Sequence, residues 1–272
     1  MERPQTSPWI YALLGCSITM LFGLFNSFGV LLKPLEHTMG WSRLTISVAF
    51  SLYTWVYSLS TPVMGWLDDR VGPRAVYALG AGLIGAGLLL ASSARTAVQF
   101  DLAFGVIAAS GAGALWAPTL SNVTKRFHGS PAQWRATTLV VMGNSLGFLF
   151  FPPLVGIALR RGGWRVAIAA MALYSASVLA VAAVAMGRPR SDAPLFPAPR
   201  GGFPWPAFRR PAFRYLFIAY ASFSATITLV MAHFPAHAQD HGLPEATSTV
   251  TISLVGLGSL VGQSIFGLAL TR

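Results

Sequence analysis

Charged residues punctuate this chain at intervals too wide for a soluble fold. Eight stretches carry no Lys, Arg, Asp or Glu: residues 9–32, 44–67, 75–94, 102–124, 136–159, 166–187, 215–239 and 246–271. Each is at least 20 residues long, and a helix needs ~20 residues to cross the ~30 Å hydrocarbon core of a bilayer. The pattern predicts an all-α polytopic membrane protein with eight spanning helices, numbered here span 1 to span 8.

Composition sharpens this picture. Hydrophobic residues make up 54% of the 272 positions and charged residues only 10%, against about 25% charged in ordinary soluble domains. A net charge of +11 would suit a nucleic-acid binder if it formed a basic stripe on a soluble fold. Here the cations sit at the ends of apolar runs, where anionic headgroups and membrane topology account for them, so the partner is the lipid bilayer and not nucleic acid. With the N-terminus in the cytoplasm, thirteen Lys and Arg fall on the cytoplasmic side and six on the other. That excess predicts a multi-pass protein of the cell membrane (plasma or inner membrane) with both termini cytoplasmic. Cys16 is the only cysteine, which excludes an intrachain disulfide and a cysteine metal cage. A cleaved leader is not expected, because the first apolar run is longer than the ~7–15 residues of a secretory signal and lacks a basic lead-in.

Six spans follow one another through short connections in residues 1–187, predicted to form one N-terminal bundle. Residues 188–211 break the rhythm with seven prolines and several arginines, which reads as an extended cytoplasmic linker. Residues 212–272 then hold two further spans, the opening of a second, incomplete bundle.

The loop after span 2 reads Gly65-Trp-Leu-Asp-Asp69-Arg70-Val-Gly72-Pro-Arg74. It resembles the Gly-x-x-x-Asp-Arg-x-Gly-x-Arg signature of the major facilitator superfamily, at the same place between helices 2 and 3. Six helices, a basic linker and a new bundle match that family's layout. Shorter strings narrow the resemblance to the monocarboxylate and oxalate–formate type: Gly29 to Leu35, Gly40-Trp41-Ser42-Arg43, Pro118 to Phe127, Gly163-Trp164-Arg165 and His233 to Gly242. The resemblance implies that Asp69 pairs with a neighbouring helix end or an arginine and latches two bundles, with Gly65 for close helix approach and Gly72 for the reversal. It also implies a small-molecule substrate, together with a co-transported or exchanged ion.

Substrate residues depart from the family. Some monocarboxylate carriers place a lysine in helix 1 and an Asp/Arg pair in helix 8, where this chain has Asn26, Ser259 and Gln263. The eight runs therefore offer neither a bidentate anchor for a carboxylate nor a carboxylate proton relay. Asn26, Asn144 and Gln263 remain as polar candidates for a substrate cavity. Gly143/Gly147 in span 5 and Gly258/Gly262 in span 8 form Gly-x-x-x-Gly steps, either at the interface between bundles or as ordinary packing glycines.

Other patterns carry less. Gly80-Ala-Gly82-Leu-Ile-Gly85 fits a dinucleotide fingerprint, but lies inside an apolar run and not in a strand–turn–helix unit. His233, His237 and His241 repeat every four residues, although Pro235 and Gly242 interrupt a continuous helix there. No nucleophile, base and acid arrangement is legible, so no enzyme, cofactor or metal is expected. Gly267 to Arg272 looks like the start of a second signature loop, with Thr271 in place of Asp, and helices 9–12 of the family layout do not appear. The expected function is secondary transport of a small organic solute, a monocarboxylate by resemblance. The alternatives are a drug or metabolite exporter of the same superfamily and a truncated membrane protein that does not transport.

Overall fold

The computed structural model describes residues 7–186 and 209–269, and among them every regular element is helical. Span 1 is α1 (Trp9–Asn26) and α2 (Phe28–Met39), interrupted at Ser27. Span 2 is α3 (Arg43–Val71) and span 3 is α4 (Pro73–Ser92). Span 4 is assembled from α5 (Ala97–Phe100), a π-helical stretch Asp101–Ala108, α6 (Ala109–Ala112) and α7 (Ala117–Arg126). Spans 5 and 6 lie within α8 (Gln133–Ala185), which breaks at Gly163, where φ is 72° and only glycine is comfortable. Spans 7 and 8 are α9 (Pro211–Asp240) and α10 (Glu245–Ala269). Most of the linker, residues 188–208, and the last three residues, 270–272, lie outside the described residues.

Among the described residues, five helical stretches are long and apolar enough to cross a membrane: Trp9–Met39, Pro73–Ser92, Ala97–Arg126, Gln133–Ala185 and Pro211–Val230. The third of these includes the broken span 4, and the fourth, at 53 residues, holds two spans. Among the described residues, α3 and α10 do not add a stretch of the same length and hydropathy. In α10 the apolar stretch among the described residues is Val250–Ile265. In α3 the cause is hydroxyl content, but Ser47, Thr54, Ser58 and Thr61 each donate to the carbonyl four residues back. That local bond satisfies the hydroxyl proton without water.

Helix ends follow their sequences. The Ser42 hydroxyl accepts from the Thr45 amide at 3.1 Å and starts α3. Thr96 and Gln99 close a reciprocal capping box at α5. Gly72, at φ 88°, turns α3 into α4, and Pro211 opens α9 at its first turn.

Lipid tails are as apolar as leucine, so helices in a bilayer are held by close packing more than by a drive out of water. Span 1 accordingly lies against span 5 with backbones nearly touching. A Cβ on Gly147 would fall on the backbone of Met20 and Gly23. The Thr19 hydroxyl reaches across to the Val140 carbonyl in the same contact. A stack of aromatic rings fills the space between spans 1, 2 and 4, with Phe25 on Tyr53 at 5.0 Å, Phe28 on Phe50 at 5.1 Å and Phe100 on Phe104 at 5.6 Å. Span 8 packs on span 5 through Gly256, where a Cβ would lie 2.6 Å from the Leu149 nitrogen.

Candidate functional site

The signature loop turns span 2 into span 3 at Gly72. Asp69 is exposed and pairs with Lys125, at the end of span 4, at 3.0 Å. Both residues belong to the first six spans, so this pair closes within one bundle. Arg70 lies over the Trp66 ring at 4.1 Å, and Arg74 is exposed. Gly72 makes the reversal. Gly65 has nothing within 4 Å of a Cβ placed on it, so it admits no close helix here.

The neighbouring Asp68, which the motif passes over, is the buried carboxyl. One helical step of about 100° turns it inward while Asp69 faces out. Its Oδ2 accepts from the Asn122 amide at 2.9 Å, and the same amide donates to the Pro118 carbonyl at 2.8 Å. Oδ1 is buried without a hydrogen-bond partner among the described residues. Burial pushes the Asp68 pKa up from 3.8 to about 6, against the lowering influence of Asn122 and Lys125. Nearby, the Tyr77 hydroxyl donates to Thr119 at 3.1 Å, and the Arg126 guanidinium lies 3.7 Å over the Tyr11 ring. This buried polar cluster links spans 1 to 4 at the loop end of the bundle.

At the opposite end, charges from three spans meet. Asp240, closing span 7, accepts from Lys33 of span 1 at 2.5 Å and from Arg43 of span 2 at 2.7 Å. Glu36 approaches the same two cations at 3.7 and 3.6 Å. Hydrogen bonds from Arg43 and Lys33 hold the Asp240 carboxyl well below the usual carboxylate range, so it stays ionised. This is a charge-neutral tie between the spans before the linker and those after it. Arg165, in the string Gly163-Trp164-Arg165, donates to the Ser92 carbonyl at 2.8 Å and so caps the open end of span 3.

The proposed cavity residues separate. Asn26 donates to the Phe22 carbonyl at 2.8 Å, within its own helix. Asn144 is half-buried. Gln263 accepts from Ser145 at 3.1 Å, so it is the neighbour of Asn144 that bridges spans 5 and 8. Of the two readings open for the glycine steps, the first step takes the packing one. Gly143 and Gly147 face span 1, while Gly258 and Gly262 have nothing within 4 Å. Close approach between spans 5 and 8 runs through Gly256. Gly80 and Gly85 pack against Ala114 and Ala176 inside the bundle. His237 and His241 have ring centroids 4.4 Å apart, but among the described residues no three His, Cys, Asp or Glu side chains gather as a metal site.

A bundle of broken, glycine-packed helices with an Asp-Arg loop at one end and an ionic tie at the other defines a membrane transporter fold. The chain belongs to the Major Facilitator Superfamily, whose profile matches residues 13–272. It is 28% identical over 254 residues to monocarboxylate transporter 13 of Rattus norvegicus, covering 91% of this chain and 57% of that protein. It is 29% identical over 208 residues to the fujikurins efflux protein of Gibberella fujikuroi, covering 76% of this chain and 43% of that protein. A crystal structure of the peptide transporter POT in complex with sulfate superposes with a TM-score of 0.58 at 18% identity, over 98% of this chain and 53% of the other, a likeness of fold alone. The chain thus spans about half the length of these relatives.

Proposed function

We propose that this chain carries the first bundle and the opening helices of the second bundle of a secondary transporter, which moves a small organic solute by alternating access. The observation that carries this reading is the Asp240 tie. It joins spans 7, 1 and 2 at one end, while at the other end Asp69 pairs inside the first bundle. Such an arrangement suits a state closed at the Asp240 end, in which breaking a few ion pairs exposes the path to that side. The excess of basic residues supports a cytoplasmic Asp-Arg loop and cytoplasmic termini, with the Asp240 end exterior.

A monocarboxylate is the substrate class that the monocarboxylate transporter relative suggests. A co-transported proton or exchanged anion would accompany it. The absence of Lys, Arg, Asp and Glu from all eight runs favours a second reading, export of an uncharged metabolite, in line with the fungal efflux relative. Proteoliposomes of the purified chain, preloaded with unlabelled solute, test both. Saturable counterflow of labelled lactate is expected for the first reading, and of a labelled neutral aromatic solute for the second. No counterflow of either, from protein shown to be folded, would contradict the transport reading.

A further inference from the structure

Spans 2 and 7 flank an open crevice of about 310 Å³, within the ~300–1,000 Å³ range of small-molecule sites. Phe50, Thr54 and Trp55 line one wall, and Ser224, Thr228 and His233 line the other. Arg43 lies seven residues before Phe50, and Asp240 seven residues after His233. At 1.5 Å per residue the ionic tie therefore joins the same two spans about 10 Å beyond the walls. A second cleft, between spans 1, 5 and 6, has an almost wholly apolar lining that includes Met20, Leu154 and Tyr174. It offers little to orient a ligand.

The chemistry of the crevice selects a ligand. None of its lining residues is Lys, Arg, Asp or Glu, so an anion or cation entering it would find no countercharge in the lining to offset the hydration it gives up. The Thr54 hydroxyl has already committed its proton to the Phe50 carbonyl at 3.0 Å. What it offers a ligand is an oxygen that accepts. Phe50 and Trp55 supply aromatic surface. His233 in its neutral form adds one donor and one acceptor.

We propose that this crevice binds an uncharged aromatic compound bearing hydroxyl donors, with its ring against Phe50 and Trp55 and its hydroxyl directed to Thr54. As a statement about what is transported, this rests on the transporter reading. As a statement about binding, it stands or falls without any flux.

The test is equilibrium binding of three radiolabelled probes to the purified 272-residue chain in detergent at pH 7.5: 1-naphthol, its methyl ether and 1-naphthoate. Saturable binding of 1-naphthol is expected, about tenfold tighter than that of the ether, the gap expected for one donated hydrogen bond. Naphthoate should bind more weakly still. Thr54→Val should weaken 1-naphthol about tenfold and leave the ether unchanged, and Thr54→Ser should restore the affinity. Trp55→Ala should weaken both neutral probes, and Leu154→Ala, in the apolar cleft, neither. Naphthoate binding as tightly as naphthol would overturn the proposal, as would a Thr54→Val protein with full naphthol affinity or the absence of saturable binding. Counterflow without this binding pattern would leave the transporter reading standing and remove the site. Binding without counterflow would do the reverse.

Discussion

The Asn122 side-chain amide donates to Asp68 Oδ2 at 2.9 Å, while the other carboxylate oxygen is buried without a hydrogen-bond partner among the described residues. A half-satisfied buried carboxylate is costly to ionise. Raising its pKa from 3.8 to about 6 corresponds to about 3 kcal/mol in favour of the neutral form. The folded protein therefore binds a proton that the unfolded chain releases between those values, and stability falls as pH rises from about 4 to about 6. Asp68→Asn should flatten this slope and raise the melting temperature in detergent at pH 7.5. An unchanged slope between pH 4.5 and 7 would show that Asp68 is not the titrating group.

Asp69 should behave differently despite its adjacency. Its pair with Lys125 is largely exposed, and such pairs contribute between 0 and about 1 kcal/mol. Asp69→Asn should therefore leave the melting temperature nearly unchanged at every pH, while speeding thiol labelling of a cysteine placed at the exposed Val71. A large loss of stability would mean that the pair is structural and not conformational.

The contact between spans 1 and 5 tolerates no side chain at Gly147, because the Met20 and Gly23 backbone occupies the space. Gly147→Leu should destabilise the bundle by about 3 kcal/mol or more. Gly258→Leu, with nothing within 4 Å, should be silent. Urea or thermal unfolding of the two variants side by side checks this, and equal effects would refute the packing described.

Orientation can be checked at two exposed loops. Reporter fusions at Gly129 and Gly242, both at positive φ in connections between helices, should read cytoplasm and exterior respectively. A cytoplasmic signal at Gly242 would invert the assignment made from basic residues.

The eight spans were legible because charge-free runs of sufficient length admit few other structures in water or lipid. The breaks inside them were not. The interruption at Ser27 and the π-helical stretch Asp101–Ala108 leave no mark on hydropathy, which counts side chains and not hydrogen-bond register. The Asp-Arg loop was visible as spacing, yet which of two adjacent aspartates is buried depends on helix rotation, fixed by the partner Asn122 on another span. The same rotation presents Gly256, and not Gly258 or Gly262, to span 5. The Asp240 tie joins residues 197 positions apart. No local pattern encodes it, although Arg43 and Asp240 both lie in strings that resembled the family.

The central claim is that the Asp240 end opens and closes. Spin labels at Leu44 and Leu243, both exposed near that end, placed in a Cys16→Ala background and measured in nanodiscs, report it directly. The account predicts two separations, the shorter dominant in the otherwise unaltered chain, with Asp240→Asn shifting the population severalfold toward the longer. A single separation, unmoved by Asp240→Asn, would contradict it.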